Sequence, residues 1–196
     1  MAKNKPLSGQ VRIIAGQWRS RRLPIHDLEG LRPTTDRVRE TLFNWLSGDI
    51  AGARVLDCFG GSGALCLESL SRYAAFAKVF ELQTSAAKQL QQNLLTLKCD
   101  CAEVVQGDTL ALLQQTPSQG FDIIFIDPPF RKGLAQQAIA LLSEHQWLNN
   151  NAQIYVETES ELSSLTVPSD WVQLKEKKAG QVIYRLYQYQ PEMDDA

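Results

Sequence analysis

The chain has 196 residues, of which 44% are hydrophobic and 21% charged, and its formal net charge is −2. This composition excludes a collagen, a coiled coil and a wholly disordered chain, and it allows one well-packed domain with a small extension. No apolar run approaches the roughly 18 residues that a membrane-spanning helix needs, and the polar N-terminus lacks the apolar core of a secretory signal. We therefore expect a cytoplasmic protein that makes no contact with membranes.

Positive charge is concentrated near the N-terminus. Residues 1–40 contain nine lysines and arginines against four acids, so they carry +5 while the rest of the chain carries −7. A basic arm on an acidic body suggests a phosphate-bearing partner for the arm. A solvated basic face without a partner is the alternative that charge alone leaves open.

The four cysteines do not form the pattern of a metal site. Cys58, Cys66, Cys99 and Cys101 include no C-x-x-C pair, and neither histidine stands at zinc-finger spacing from a cysteine pair. The sequence therefore predicts free thiols and no bound metal.

The N-terminal part is predicted to form a β-hairpin followed by a helix. Residues 11–15 and 18–25 should pair, and the second of these strands is rich in arginine. Polar residues 34–36 are typical helix caps, and apolar residues recur at helical spacing from there to Leu46.

From residue 54 onward, short apolar strands alternate with amphipathic helices, a pattern that implies a parallel sheet with helices on both faces. The last two strands flank Gly180 and should pair antiparallel, which makes the sheet mixed. The fold class is therefore α/β, with a seven-stranded mixed sheet and a small N-terminal hairpin. The predicted strands are 54–59, 77–81, 102–106, 121–126, 152–157, 171–177 and 181–189, and the helices are 65–73, 84–97, 109–115 and 134–146.

A glycine-rich turn, D-C-F-G-G-S-G over residues 57–63, follows the first of these strands. Ligands bind outside the carboxyl ends of such strands, and small residues there let the backbone approach a ligand closely. Cys66 stands where a dinucleotide fingerprint needs glycine, and no Lys-Ser/Thr pair completes a P-loop. A tight turn without a ligand is the alternative.

Two acidic residues follow the next two strands. Glu81 ends the strand at 77–81, where a carboxylate can accept hydrogen bonds from both hydroxyls of a ribose. Asp108 follows the strand at 102–106, where it could meet an adenine amino group. The alternatives are a surface glutamate at a strand end and an aspartate that caps the next helix, and Asp108 could do both.

The most specific signal is Asp127-Pro128-Pro129-Phe130, directly after the apolar strand at 121–126. A buried strand delivers the carboxylate to the ligand edge, and the two prolines fix the backbone without adding N–H donors. Asp127 and the Pro128 carbonyl can together accept the two hydrogens of an exocyclic amine, while Phe130 offers a face for a flat ring. The alternative is a rigid turn with a satisfied aspartate.

These motifs, in this order, resemble the class I S-adenosylmethionine-dependent methyltransferases, in which the D/N-P-P-F/Y variant marks enzymes that methylate an amino nitrogen. A closer resemblance covers nearly the whole chain. Residues 12–19 (RIIAGQWR), 31–44 (LRPTTDRVRETLFN) and 180–185 (GQVIYR) resemble the RsmD family, whose members methylate guanine N2 in small-subunit (16S) ribosomal RNA.

The resemblance implies a Rossmann-like class I fold and a set of residue roles. Transfer would occur at Asp127, Pro128, Pro129 and Phe130, with the target guanine flipped into a pocket between Phe130 and the cofactor. S-adenosylmethionine would be held by Arg32, Thr34, Thr35, Asp57, Phe59, Gly61, Gly63, Glu81, Leu82 and Asp108. RNA would be contacted by Arg12, Trp18, Arg19, Arg21, Arg22 and Arg37.

The expected organisation is a basic RNA-binding arm at residues 1–30, a methyltransferase domain at 31–190 and a loose tail at 191–196. We expect a monomer that acts on 16S rRNA, on the small ribosomal subunit or on an assembly intermediate.

Three rival functions stay open. A DNA or RNA adenine-N6 methyltransferase would share residues 127–130, although the DNA enzymes usually carry a further target-recognition domain. A protein-glutamine methyltransferase usually has asparagine at position 127. The third rival is a catalytically idle RNA-binding factor of ribosome assembly.

Overall fold

The computed structural model of the protein describes residues 9–25, 35–162 and 164–191. The strands are β1 (Gly9–Arg12), β2 (Arg22–Ile25), β3 (Arg54–Asp57), β4 (Phe76–Glu81), β5 (Ala102–Gln106), β6 (Phe121–Ile126), β7 (Leu148–Glu159), β8 (Trp171–Ala179) and β9 (Val182–Tyr189). The helices are α1 (Asp36–Trp45), α2 (Ala64–Ser71), α3 (Thr84–Leu97), α4 (Thr109–Leu113) and α5 (Leu134–Glu144).

Seven strands form one mixed sheet in the order β5-β4-β3-β6-β7-β9-β8. Strands β3 to β7 run parallel to one another, whereas β9 runs antiparallel to both β7 and β8. The predicted α/β fold with a seven-stranded mixed sheet is therefore confirmed. The carboxyl ends of β4, β3, β6 and β7 meet along one edge, which positions the residues that follow these strands.

Helices cover both faces of the sheet because each buried strand presents alternate apolar residues to opposite sides. Val55 and Leu56 of β3, for example, belong to the two different hydrophobic clusters. One cluster holds residues of α1, α2, α3 and the hairpin, and the other holds residues of α4 and α5. Helix α2 is buried along its whole length.

The N-terminal hairpin forms, but both of its strands differ from the prediction. The first runs over Gly9–Arg12 rather than residues 11–15, and the second is shorter than predicted. Strands β1 and β2 pair antiparallel from Gly9 opposite Ile25 to Arg12 opposite Arg22, so the prediction of a strand over residues 18–25 is wrong in its first four residues. Residues 18–20 lie in a turn instead, in which the N–H of Arg19 donates to the Gly16 carbonyl at 3.2 Å and that of Arg21 donates to the Trp18 carbonyl at 3.1 Å. The start of the connection is also attached to α2. The N–H of Gln17, for instance, donates to the Ser71 carbonyl at 2.8 Å.

The predicted helix after the hairpin is confirmed, with Thr35 as its N-cap: the Thr35 hydroxyl accepts the N–H of Val38 at 3.4 Å. Other boundaries differ modestly, since the strand predicted at 54–59 ends at Asp57 and the one predicted at 152–157 extends over Leu148–Glu159. Within the described ranges, no helix combines the length and hydropathy that a membrane crossing requires.

Candidate active site

The glycine-rich turn joins β3 to α2 and lies directly against β4. The N–H of Gly60 donates to the Phe80 carbonyl at 2.8 Å, and a side chain at Gly60 would begin 2.5 Å from Val79. Gly63, the N-cap of α2, has a φ of +75°, a left-handed conformation that favours glycine. The sequence D-C-F-G-G-S-G therefore keeps this turn narrow and free of side chains at its three glycines.

Glu81, at the end of β4, holds the turn in place. One carboxylate oxygen accepts the N–H of Gly61 at 2.7 Å, and the other accepts the N–H of Gln83 at 2.7 Å. The side chain is buried, yet a carboxylate offers about four acceptor positions, so these two bonds leave capacity for a further donor.

Leu82 and Asp108 flank this carboxylate on the neighbouring loops. Leu82 is 57% exposed, which is unusual for a large apolar residue beside a glycine-rich turn. Asp108 is exposed and accepts the N–H of Ala111 at 2.9 Å, so the predicted capping role is confirmed. The loop that carries Asp108 is tied to β4, because the N–H of Gly107 donates to the Glu81 carbonyl at 3.0 Å.

The Asp127–Phe130 motif follows β6, the strand next to β3. Asp127 is half-buried, Pro128 is buried and Pro129 is exposed. The ring of Phe130 is half-buried and packs against the cluster that contains α1, α2 and α3. The motif therefore lies on the same sheet edge as the glycine-rich turn, one strand away.

Carboxylates gather where β3 and β6 end. Asp57 is buried and accepts the N–H of Phe59 at 3.3 Å, while the Phe59 ring packs toward the α4 and α5 face. Burial, the charge of Asp127 and, more weakly, that of Glu81 raise the pKa of Asp57 to about 7. Three of the predicted site carboxyls are thus close enough to influence one another.

A buried Tyr-Glu pair on β7 adjoins this group and was not predicted from the sequence. The hydroxyl of Tyr155 donates to the Glu157 carboxylate at 2.7 Å, and both side chains are buried. Burial first, then the charges of Glu157 and Asp127, raise the pKa of Tyr155 well above its usual range. The available signal was a glutamate at the end of a predicted strand, the same signal that singled out Glu81.

The arginines of the N-terminal region fall into two groups. Arg12 pairs with Asp36 at 2.7 Å, and the buried Arg39 pairs with the other oxygen of the same carboxylate. Partial burial would raise the pKa of Asp36, but the hydrogen bonds from these two arginines lower it overall.

The other arginines predicted to contact RNA are exposed, and in the described part of the chain none of them has a carboxylate within ion-pair distance: Arg19, Arg21, Arg22 and Arg37. The Trp18 side chain is half-buried against the core, and the backbone N–H of Trp18 donates to the Ser71 hydroxyl at 3.0 Å. Arg32 and Thr34 lie outside the described residues. Among the residues that are described, no group of His, Cys, Asp and Glu side chains could hold a metal ion.

Comparisons with known proteins agree over almost the whole chain. A family model described as "Conserved hypothetical protein 95" matches residues 11–188. The protein is 56% identical over 183 residues to "Ribosomal RNA small subunit methyltransferase D" of Escherichia coli K12, covering 92% of this chain and 91% of the relative. A relative with the same name from Haemophilus influenzae is 54% identical over 183 residues and is covered to 94%.

Solved structures agree with the fold. The "putative methyltransferase yhhF" from Escherichia coli superposes with a TM-score of 0.88 at 52% identity, over 93% of this chain and 99% of the other. A putative methylase from Haemophilus influenzae superposes with a TM-score of 0.83 at 49% identity, over 93% of this chain and 100% of the other. Identity and coverage of this extent place the chain in the RsmD family of small-subunit ribosomal RNA methyltransferases.

Proposed function

We propose that this protein transfers a methyl group from S-adenosylmethionine to the exocyclic N2 of a guanine in small-subunit ribosomal RNA. The observation that carries the proposal is the position of Asp127. Its carboxylate follows a buried parallel strand, is backed by Pro128 and Pro129, and lies one strand away from a narrow glycine-rich turn.

The residues around that turn fit S-adenosylmethionine. A side chain at Gly60 would begin 2.5 Å from Val79, and one at Gly63 would begin 2.5 Å from Leu90, so these glycines let the turn pack closely on the sheet and on α3. In our proposal the cofactor lies against this narrow stretch of backbone. Glu81 keeps acceptor capacity for ribose hydroxyls, and the exposed Leu82 offers an apolar face to the adenine. Asp108, although it caps α4, uses one oxygen to do so and keeps the other for the adenine amino group.

Asp127 and the Pro128 carbonyl accept the two hydrogens of the target amine. The lone pair of guanine N2 is delocalised into the ring, and these two acceptors favour a tetrahedral nitrogen whose lone pair points away from them. When bound, S-adenosylmethionine supplies an electrophilic methyl group in line with that lone pair. Transfer of this methyl group to N2 would leave S-adenosylhomocysteine, and the Asp127 carboxylate would accept the proton that N2 loses. Phe130 stacks on the flipped base.

Residues before α1 complete the site in this proposal. Thr35 caps α1, and Arg32 and Thr34, from the adjoining segment, contact the methionine end of the cofactor. Asp57 and Phe59 support the turn at the end of β3, where the backbone N–H of Phe59 donates to the Asp57 carboxylate. The exposed arginines of the hairpin contact RNA phosphates.

The test is transfer of tritiated methyl groups from S-adenosylmethionine to unmodified small-subunit particles and to naked rRNA, followed by nucleoside analysis. We expect label in N2-methylguanosine alone. Label in N6-methyladenosine would instead identify the protein as an adenine-N6 methyltransferase. Tight cofactor binding without any transfer to either substrate would favour an assembly factor that does not catalyse.

A further inference from the structure

A cavity of about 420 Å³ lies between the N-terminal hairpin, the start of α1 and the glycine-rich turn. Among the residues that the structure describes, its charged lining consists of Arg12, Arg22, Arg39 and Asp36. These three arginines and one aspartate together carry a net charge of +2. The cavity is therefore suited to an anion.

The aspartate does not repel an anion as a free carboxylate would, since both of its oxygens are already paired. One oxygen of Asp36 lies 2.7 Å from Arg12, and the other pairs with Arg39. Arg22, in contrast, is exposed and has no carboxylate within ion-pair distance in the described part of the chain. Arg22 is thus the cation that an incoming anion can pair with directly.

Uncharged donors complete the lining. The Thr35 hydroxyl accepts the N–H of Val38 and so keeps its own proton to donate, and Gln10 and Ser62 add an amide and a second hydroxyl. Several donors around one cationic group suit an anion with two or more oxygens, such as a phosphodiester, better than a halide.

The cavity lies between the basic arm and the glycine-rich turn. Ser62, Ala64 and Thr35, which is itself a predicted cofactor residue, line it on one side, whereas its cations Arg12 and Arg22 come from the hairpin that the proposed function assigns to RNA. Asp57, Glu81 and Asp127 do not line it. A nucleotide that flips into an active site takes its flanking phosphates with it. A phosphate held beside the glycine-rich turn would fix the RNA backbone at the distance from Asp127 that the flipped base requires.

We propose, on the basis of the function proposed above, that this cavity binds a backbone phosphate of the RNA substrate next to the methylated nucleotide. The methionine carboxylate of S-adenosylmethionine is an oxyanion of similar chemistry, so the experiment must distinguish the two sources.

The experiment is an NMR titration of the whole protein with inorganic phosphate at constant ionic strength, with and without bound S-adenosylhomocysteine. We expect saturable shifts of the Gln10 and Ser62 amides in both states. Arg22→Gln should weaken this binding at least five-fold. The matched control Arg21→Gln, at an exposed neighbour that does not line the cavity, should stay within two-fold of the parent.

Three results would overturn the proposal: no saturable shift, equal weakening by the two variants, or displacement of phosphate by S-adenosylhomocysteine. The last would assign the cavity to the methionine carboxylate, and Arg22→Gln would then also weaken cofactor binding. As a second readout, Arg22→Gln should raise the KM for particles and leave the KM for S-adenosylmethionine unchanged. The proposed function is judged separately, by the nucleoside that the unaltered protein produces.

Discussion

The carboxylate of Glu68 accepts the backbone N–H of Ile14 at 2.7 Å across 54 positions of sequence. Its other oxygen accepts the N–H of Ala15 at 3.0 Å and a guanidinium N–H of Arg72 at 2.7 Å. The side chain is fully buried in α2, the helix that begins at the glycine-rich turn. The basic arm and the predicted cofactor turn are therefore attached to the same helix.

Replacement of Glu68 should destabilise the whole protein. We expect Glu68→Ala to lower the free energy of unfolding by about 3–5 kcal/mol, because it leaves Arg72 and two backbone N–H groups without their acceptor. Urea denaturation measures this change, and Glu144→Ala, at a side chain that is 69% exposed, is the control with an expected effect within about 0.5 kcal/mol. Equal effects of the two variants would show that the buried carboxylate contributes nothing.

Asp127→Ala should abolish methyl transfer while cofactor affinity stays within a few-fold. The reason is that the carboxylate faces the target amine in the proposed mechanism and not the cofactor. Transfer is measured with tritiated S-adenosylmethionine, and affinity by calorimetry with S-adenosylhomocysteine. Asp100→Ala, in an exposed turn, is the matched control. A fall in affinity as large as the fall in rate would mark Asp127 as a structural residue.

Glu81→Ala should weaken cofactor binding by about 1–3 kcal/mol through loss of charge-assisted hydrogen bonds to the ribose. It should also lower the melting temperature without cofactor, since Gly61 and Gln83 lose the acceptor of their N–H groups. Calorimetry and thermal unfolding separate these two effects. Glu103→Ala, at an exposed carboxylate on the neighbouring strand, is the control. An unchanged dissociation constant would place the ribose elsewhere.

The triple change of Arg19, Arg21 and Arg22 to alanine should reduce affinity for RNA or particles and flatten its dependence on salt. Each phosphate contact that is lost should lower the slope of log K against log salt by about 0.7–0.9. Cofactor affinity should hardly change, because no glycine-rich or acidic site residue is altered. If the variant bound substrate as tightly as the parent at every salt concentration, the arm would be a solvated basic face.

Asp57 should make stability depend on pH in a direction opposite to that of an ordinary paired carboxylate. Its folded pKa of about 7 exceeds the ordinary value of 3.8, so the folded state binds its proton more tightly than the unfolded state does. This contribution is fully present below about pH 4 and is lost as the pH rises through about 7. The free energy of unfolding of Asp57→Asn, relative to that of the parent, should therefore rise by about 2–3 kcal/mol when the pH is raised from about 5 to about 8. Urea denaturation without cofactor at both pH values measures the gain, and a pH-independent difference would contradict it.

Most of the sheet domain could be predicted because its signals are local. The helix over Thr84–Leu97 and the strands over Ala102–Gln106 and Phe121–Ile126 match the predictions residue for residue, since apolar periodicity within each segment determines them. The capping roles of Thr35 and Asp108 were likewise readable from residue type and position.

The attachment of the arm could not be predicted, because its contacts join residues far apart in sequence. Gly16 has a φ of +81°, as a turn allows, and a side chain there would begin 1.9 Å from the Ser71 carbonyl, so this glycine also permits close packing on α2, which the sequence did not reveal. In the sequence, Glu68 is a single acid within an apolar helix, and no residue near it in sequence indicates which groups it bonds to. The Tyr155–Glu157 pair was missed for a related reason: its significance depends on the neighbouring strand that carries Asp127.

The order of strands in the sheet also has an evolutionary consequence. In our proposal the sheet-edge residues that hold the methyl donor follow β3, β4 and β5, and further donor contacts come from the segment before α1, whereas the residues that receive the base follow β6. Within the sheet, the boundary between the two sets runs between the central strands β3 and β6. Mutations on the β6 side can therefore change the accepted nucleobase while the donor half stays intact. Related proteins with this topology can therefore acquire new substrates while they keep the same methyl donor and the residues that bind it.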